Sequence, residues 1–307
     1  MDGVINVNKP SGPTSHDVVA GIRRAIKEKR VGHAGALDPN ASGVLIICVG
    51  NAVRIVEYLM DWRKAYQAEV VFGAETDTED ETGTVLREID CSHLTQSMVE
   101  AVLPRFTGKI MQVPPMVSSV HHKGKRLYEL ARKGQVVERA PRSVEIYLLK
   151  LVGFEQGKRA KAALEIECSK GTYIRTLCAD IGRALDCVAH MSKLVRTGVG
   201  RFRMEDAVSI ETIEEKAASG RISDILCTID EALDEMPSAT VSETDARLIS
   251  NGVILSTDRI EEPKHNLPVD APIKIRSNDG RLLGIGSIRK RPDGETELRP
   301  EKVFAVE

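Results

Sequence analysis

The sequence predicts an α+β fold with a mixed, largely antiparallel central sheet flanked by helices, followed by a small β-rich C-terminal domain. Strand and helix patterns are intermixed in the first part, without the regular strand–helix–strand rhythm of a parallel sheet. Near Pro237 the pattern changes to short strands joined by turns. The 307 residues suit one large and one small domain. We therefore expect domains at residues 1–236 and 237–307.

Hydrophobic periodicity predicts the elements of the large domain. The clearest strand is at 64–73, where Tyr66, Ala68, Val70 and Phe72 face one way. Apolar or alternating runs predict the other strands at 4–7, 44–49, 106–112, 143–153 and 162–168. Helical spacing predicts a helix that Thr14 or Ser15 caps and that runs to Ile26, a helix through Val53 and Leu59, and helices at about 96–104, 174–185, 209–218 and 223–234.

The C-terminal segment has the pattern of a small β domain of about 70 residues, near the lower size limit for an independent core. One short helix is expected to end near Asn251-Gly252. Asp279-Gly280 and Asp293-Gly294 are typical of tight hairpin turns between the strands that follow.

Composition indicates a packed, cytoplasmic protein. Hydrophobic residues make up 42% and charged residues 29%, and no apolar run approaches the roughly 20 residues of a membrane span. The N-terminus lacks the features of a signal peptide. The six cysteines are scattered without a C-x-x-C pair, so we expect reduced thiols and neither a disulfide framework nor a zinc site.

Charge is segregated although the net charge is only −2. Residues 75–81 are strongly acidic, whereas residues 121–142 carry seven Lys or Arg against two Glu, a local excess of 7 − 2 = +5. A basic face of this kind can bind phosphates on a protein that is neutral overall. The alternative is two solvated loops of opposite sign, and composition alone favours it.

The loop at residues 32–39 is the most unusual stretch and contains Asp38. Gly32 and Gly35 permit backbone conformations closed to other residues, and Pro39 favours an extended Asp38. The loop could therefore hold a carboxylate rigidly, as a nucleophile or base requires. A simple Asp-Pro turn is the alternative.

Two further side chains suit a site of this kind. Tyr66 is either a core tyrosine or a ring that stacks on a base. Arg175 falls in the first turn of a helix, where the helix dipole makes a cation slightly unfavourable. It is either an exposed arginine or the partner of Asp38, which a two-pronged guanidinium contact would orient and keep ionised.

Motifs for metals and cofactors are missing from the sequence. The adjacent His121-His122 cannot converge on one ion, and there is no P-loop, G-x-G-x-x-G or G-x-S-x-G. We therefore expect an activity that needs neither a cofactor nor a metal.

Several separate motifs, taken in order, resemble the TruB family of bacterial tRNA pseudouridine synthases. The resemblance covers essentially the whole chain. One departure is Ala34, where many members have Thr or Ser. The motifs are Asn8-Lys9-Pro10-Ser11-Gly12, Gly32-His33-Ala34-Gly35-Ala36-Leu37-Asp38-Pro39, Lys64-Ala65-Tyr66, Gln112-Val113-Pro114-Pro115, Gly124-Lys125-Arg126-Leu127-Tyr128, Ser169-Lys170-Gly171-Thr172-Tyr173-Ile174-Arg175-Thr176 and Arg299-Pro300-Glu301-Lys302-Val303-Phe304.

The resemblance implies the pseudouridine synthase fold with a C-terminal PUA-like RNA-binding domain. It implies the T-loop uridine of tRNA, position 55, as substrate, bound through the T-arm by a monomer without a protein partner. An insertion at about 114–143 is expected to close on the RNA. It also implies roles for individual residues: Asp38, Tyr66 and Arg175 as catalytic, and His33, Lys9, Tyr173, Leu194, Lys123, Lys125, Arg126 and Arg132 as substrate-binding.

Two other functions fit the same residues. One is the dyskerin-like branch, which a separate RNA guides; the first strand begins at residue 4 without the N-terminal extension of that branch. The other is a non-catalytic protein that binds or folds RNA, which an intact Asp38, Tyr66 and Arg175 argue against. Whether the aspartate attacks C1′ of the sugar or removes a sugar proton to give a glycal stays open.

Overall fold

A computed structural model of the chain describes residues 1–118, 120–122, 124–263 and 266–304. The strands in these ranges are β1 Gly3–Lys9, β2 Val31–His33, β3 Ser42–Val49, β4 Lys64–Phe72, β5 Ala74–Thr76, β6 Val85–Glu88, β7 Gly108–Gln112, β8 His121–His122, β9 Lys125–Arg126, β10 Arg142–Glu155, β11 Lys161–Cys168, β12 Ala189–Val199, β13 Phe202–Arg203, β14 Ser238–Val241, β15 Leu255–Ser256, β16 Ile260–Glu262, β17 Pro272–Ser277, β18 Leu282–Lys290 and β19 Thr296–Val303. The α-helices are α1 Ser15–Ile26, α2 Val56–Asp61, α3 Gln96–Val102, α4 Leu127–Ala131, α5 Ile174–Ala184, α6 Ile210–Ala218, α7 Ile229–Ala232 and α8 Glu243–Ser250.

The large sheet has the strand order β1-β3-β12-β4-β11-β10-β7, with β2 beside β3 and β13 beside β12. Every pairing in it is antiparallel except that of β12 with β3. The predicted mixed, largely antiparallel sheet is therefore confirmed. The alternation predicted for β4 is also present, since Ala68, Val70 and Phe72 are buried on one face.

Helix α1 begins where its sequence predicts. Thr14 is the N-cap, and its side chain accepts a hydrogen bond from the Asp17 main chain while the Asp17 carboxylate accepts one from the Thr14 N–H. This reciprocal pair satisfies two of the N–H groups that a helix start leaves free. Val18 and Ile22 then pack against β1 and β3 in the core.

Strand β12 was not predicted, although it joins the two halves of the large sheet. Its pairing with β4 shifts register between Met191 and Lys193 and again between Arg196 and Gly198. Each bulge adds a residue and reverses the side chains' facing. The inward residues therefore follow neither a two-residue period nor a continuous apolar run.

The single helix predicted at about 223–234 is wrong. A short 3-10 turn, Ile222–Ile225, and α7 replace it. Between them, the main chain of Cys227 exchanges two hydrogen bonds of 2.8 Å with Val4 of β1. Pairing with a distant strand outweighs the local helical pattern here, and Thr228 then caps α7.

The prediction of reduced thiols is wrong for one pair of cysteines. Cys91 and Cys187 form a disulfide across 96 residues of sequence, with a Cα–Cα distance of 6.7 Å. Cys91 precedes α3, and Cys187 lies in the turn after α5, so packing alone brings them together. Of the other cysteines, Cys48, Cys168 and Cys178 are buried and free, and Cys227 is half-buried and free.

The C-terminal strands form a second sheet in the order β15-β19-β18-β17-β14-β16. The two predicted hairpin turns are present, joining β17 to β18 and β18 to β19. Helix α8 ends at Ser250, immediately before Asn251-Gly252, as expected. The small β-rich C-terminal unit is thus confirmed, with its own apolar core around Ile275 and Leu298.

The second sheet is attached firmly to the first unit. Asp230 of α7 accepts hydrogen bonds from Arg276 and forms an ion pair of 3.1 Å with Lys274, both on β17. Ile285 and Phe304 of the C-terminal unit belong to one buried apolar cluster with residues of α2 and β3.

Candidate active site

A cleft of about 930 Å³ opens beside the start of β4 and of α5. Segments that are far apart in sequence line it, including the loop of Asp38, the acidic turn between β5 and β6, the 114–143 insertion and β12. Asp38, Tyr66, Tyr173 and Arg175, all predicted from sequence to form a site, are brought together here.

The loop of Asp38 lies between β2 and β3 and is held by bonds to its main chain. Gly35 has φ +95°, a conformation that favours glycine. The Ser15 hydroxyl accepts a hydrogen bond of 2.9 Å from the Leu37 N–H and donates to the Leu37 carbonyl at 3.2 Å. Ala34 is fully buried and donates its N–H to Ile46. These contacts fix the residues immediately before the carboxylate.

Lys9 does not occupy the substrate-binding position expected for it. Its side chain is fully buried, and Nζ donates to the carbonyls of Pro10, Pro39 and Ala41 at 2.9, 3.0 and 2.7 Å. Burial lowers the pKa of Lys9 to about 8. Lys9 therefore holds the chain immediately after Asp38 and does not contact solvent or RNA.

Arg175 forms the ion pair predicted with Asp38, and the alternative of an exposed arginine is wrong. Its side chain is 3% exposed, and Nε lies 3.0 Å from Asp38 Oδ2. The predicted two-pronged contact is absent, because Nη1 donates to the Thr78 carbonyl and Nη2 to the Val117 carbonyl, both at 2.9 Å. Asp80 Oδ2 lies 3.8 Å from the same Nε. One guanidinium thus joins the Asp38 loop, the acidic turn and the insertion.

The acidic stretch at 75–81 forms a wall of the cleft, so the view of it as a solvated loop is wrong. Glu79 accepts a hydrogen bond of 2.6 Å from the Thr176 hydroxyl, and burial raises the pKa of Glu79. The main chain of this turn also bonds to β12 at Met191. These contacts hold the Thr78 carbonyl against Arg175.

Tyr66 lies at the cleft end of β4 and is half-buried. Burial raises the pKa of its hydroxyl, and the positive charge of Arg196 opposes this rise. The ring lines the cleft next to Asp38, where a flipped base could stack on it. That stacking role stays a prediction.

Tyr173 lines the cleft, whereas Leu194 borders it indirectly. The Tyr173 N–H donates to Gln112 Oε1 at 2.8 Å, and its carbonyl accepts from Gln112 Nε2 at 3.0 Å. Leu194 of β12 is buried and lines a small side cavity with Asp38 and Asp80.

His33 does not line the cleft; the neighbouring His16 does. The two rings meet edge to face, with their centroids 5.3 Å apart. Burial, with the charges of His16 and Arg196, lowers the pKa of His33 to about 4. His33 is therefore neutral at pH 7, and its expected contact with RNA stays a prediction.

The basic insertion reaches the cleft with part of its charge. Arg126 and Arg132 line it, while Lys125 is exposed beside them. The guanidinium of Arg132 lies 5.4 Å from the ring centroid of Tyr128, which also lines the cleft. Lys123 lies outside the described residues.

Sequence reasoning missed three buried residues of this site: Ser15, Lys64 and Arg196. Lys64 is 6% exposed and donates to the carbonyls of Met60 and Trp62 at the end of α2. Burial lowers the pKa of Lys64 to about 8. A signal for Arg196 existed, since it is a lone arginine two residues after Leu194, but the strand that bears it was not predicted.

Within the described ranges, no group of three or more His, Cys, Asp or Glu side chains is placed to hold a metal ion. None of the helices in those ranges is long and apolar enough to cross a membrane.

Comparison with known proteins identifies the family. Residues 23–174 match the model of the TruB family pseudouridylate synthase N-terminal domain. Residues 175–235 match the model of the tRNA pseudouridylate synthase B C-terminal domain. The chain belongs to the TruB family of pseudouridine synthases. It is therefore an isomerase, as its sequence motifs predict.

Individual TruB relatives and solved structures agree. The chain is 51% identical over 253 residues to tRNA pseudouridine synthase B of Symbiobacterium thermophilum, covering 82% of this chain and 83% of that protein. It is 42% identical over 310 residues to tRNA pseudouridine synthase B of Bacillus cereus, covering 99% and 97%. The crystal structure of a Cbf5-Nop10-Gar1 complex contains a chain with TM-score 0.78 and 25% identity, covering 99% of this chain and 85% of that chain. The pseudouridine synthase fold is thereby confirmed.

Proposed function

We propose that this chain converts the T-loop uridine of tRNA, position 55, into pseudouridine, with Asp38 as the essential carboxylate. The observation that carries the proposal is the Asp38–Arg175 ion pair of 3.0 Å in a cleft that Tyr66 also lines. The relatives named tRNA pseudouridine synthase B support tRNA as the substrate.

The residues suit an isomerisation in which nothing is oxidised or hydrolysed. The bond between N1 and C1′ breaks, the uracil turns, and C5 bonds to C1′; C5 loses its proton and N1 gains one. Asp38 either attacks C1′ or removes a sugar proton to give a glycal. Both routes need an ionised carboxylate, which the buried guanidinium of Arg175 favours.

Access to the sugar requires the uridine to leave its stack, which costs a few kcal/mol and least in a loop. The half-buried Tyr66 ring and the apolar side chains of Met60, Met116 and Val117 in the cleft wall offset this cost by contact with the base. This favours the T loop over a paired stem as the substrate.

We further assign catalysis to residues 1–236 and RNA binding to the PUA-like unit at 237–307, with the insertion at about 114–143 closing on the T-arm. The protein acts in the cytoplasm as a monomer, without a guide RNA or a protein partner. Arg126 and Arg132, which line the cleft, support phosphate contacts by the insertion.

The decisive experiment uses tRNA labelled with tritium at C5 of uridine, because isomerisation releases that label to water. Asp38→Asn should release no tritium above background and should bind tRNA with the parental dissociation constant. Substantial turnover by this variant would remove Asp38 from its catalytic role. A purely RNA-binding protein would release no tritium even with the parental sequence.

The position of the substrate is tested with a transcript in which uridine 55 is replaced by cytidine. We expect no pseudouridine in this RNA and one per molecule in the matched parental transcript. Equal product from both transcripts would refute the T-loop assignment while leaving the role of Asp38 intact.

A further inference from the structure

Arg196 on β12 is among the largest fully buried side chains of the described residues, with 1% exposure. All three of its guanidinium nitrogens bond main-chain carbonyls: Nε to Val44 at 2.7 Å, Nη1 to Ala36 at 3.3 Å and Nη2 to Gly35 at 2.9 Å. A guanidinium keeps its charge in proteins, so burying it costs free energy that an apolar side chain would not. The bonds it makes are therefore the key to its role.

These three carbonyls flank Asp38 on both sides. Gly35 and Ala36 precede the carboxylate by three and two residues, and Val44 follows it in β3. Bonds to both limbs fix the opening angle of the loop, which a contact to one limb could not do. Lys9 adds bonds further along the second limb, so two buried cations hold the loop.

The main chain of Arg196 is equally close to the loop. Arg196 lies opposite Gly43 in the parallel pairing of β12 with β3. Gly43 has φ +106°, and a Cβ atom there would collide with the main-chain N, C and O atoms of Arg196. Glycine at this position thus allows the close approach through which the guanidinium reaches the loop.

Arg196 also faces Tyr66 on its other side. The two residues are direct cross-strand partners in the antiparallel pairing of β12 with β4, and both line the cleft. Residues opposite each other in such a pair have Cβ atoms about 4.5–5.5 Å apart. Arg196 therefore links the strand of the stacking ring to the loop of the carboxylate.

We infer that Arg196 is a positioning residue for the isomerisation, which fixes Asp38 and Tyr66 relative to one another across the uridine site. The inference rests on the proposed function, in which Asp38 acts on the sugar. Its effect is on alignment, and a misplacement of about 1 Å can lower a rate about 100-fold.

Arg196→Lys is the sharpest test. Lysine keeps the positive charge, but its single ammonium cannot bond carbonyls on both limbs of the loop with the geometry of a guanidinium. We expect the single-turnover rate at saturating tRNA to fall about 100-fold. The dissociation constant should stay within about twofold of the parental value, because the side chain is buried.

Base flipping supplies an independent readout. A tRNA with 2-aminopurine next to the target uridine reports unstacking through its fluorescence. We expect Arg196→Lys to give the parental fluorescence change, so that the base flips normally and only the later chemical step is slow.

Lys274→Met is the matched control for loss of a buried cationic contact. Lys274 is also 3% exposed but lies in the second sheet, where it pairs with Asp230. This variant should lower the thermal midpoint and keep the parental saturating rate. Because it separates stability from rate, a slow Arg196→Lys cannot be attributed to weaker folding alone.

Asp38→Asn is measured in parallel to separate the two proposals. If Asp38→Asn turns over, the proposed function fails whatever Arg196→Lys does. If Asp38→Asn is inactive while Arg196→Lys retains the parental rate, or loses only affinity, the positioning role alone fails. Arg196→Gln replaces Arg196→Lys if the latter does not fold, and failure of both to fold would make Arg196 a structural residue and overturn the inference.

Discussion

Replacement of Arg175 tests the ion pair on which the proposed chemistry depends. Its three bonds reach Asp38, the Thr78 carbonyl and the Val117 carbonyl. Lysine at this position would keep the charge but could follow only one of the three directions well. Alanine would remove the charge and leave every acceptor without its donor.

The magnitude follows from these contacts and their burial. A hydrogen bond to a charged group contributes about 1.5–3 kcal/mol to stability. The Asp38 side chain is 45% exposed, so water replaces much of that contact, whereas the two carbonyls lose bonds to a guanidinium that is 3% exposed. We therefore expect Arg175→Ala to lower the free energy of unfolding by about 3 kcal/mol, the lower end for two such bonds.

The catalytic effect should be larger than the effect on binding. With Asp38 no longer oriented, we expect Arg175→Lys to lower the single-turnover rate about 100-fold and Arg175→Ala to lower it further. Affinity for tRNA should stay nearly unchanged, because the guanidinium is buried. Tritium release under saturating enzyme measures the rate, and filter binding measures the affinity.

Arg183 provides the matched control on the same helix. It is 53% exposed and pairs with Asp180, so Arg183→Lys should retain the parental rate. A rate for Arg175→Lys within about threefold of the parental value would refute the reasoning, as would a loss that appears only in affinity.

Three further predictions concern the insertion, the disulfide and a buried lysine. Neutralising Arg126 and Arg132 together should reduce the slope of log affinity against log salt by about 0.7–0.9 for each phosphate that these two side chains neutralise, and an unchanged slope would show that neither meets a phosphate. Reducing the Cys91–Cys187 disulfide, which spans 96 residues, should lower the free energy of unfolding by about 4–5 kcal/mol, and an equal loss when the Cys91→Ser variant is treated with reductant would contradict this. Folding lowers the pKa of Lys64 from 10.5 to about 8, so the unfolded chain holds more protons between these values and stability relative to Lys64→Met should rise over that pH range and be lost as pH falls through about 8; a pH-independent difference in urea midpoints would refute this.

Local chemistry explains which parts of the fold the sequence predicted. The Thr14 cap, the alternation of β4 and the Asp-Gly turns each depend on neighbouring residues, so a single window contains the whole signal. Strand β12 escaped because two bulges remove its period. The helix expected at 223–234 was overridden by the pairing of Cys227 with Val4.

The site was predictable in its residues more than in its contacts. Motifs identified Asp38 and Arg175, and their pairing follows from the chemistry of a buried carboxylate. The bonds of Arg175 to two carbonyls depend on loops that only tertiary packing brings near it. The burial of Lys9 and the meeting of Cys91 with Cys187 have the same origin, so no spacing rule revealed them.

The shared apolar cluster between the two sheets has a consequence for how the chain unfolds. Ile285 and Phe304 pack with Ile55 and Leu59, and the Asp230 ion pairs lie at the same junction. Unfolding of the C-terminal sheet alone would expose the apolar side of α2 to water as well as its own core. The two units therefore stabilise each other, and we expect one cooperative calorimetric transition, with equal calorimetric and van't Hoff enthalpies, for a chain whose sequence has two domains.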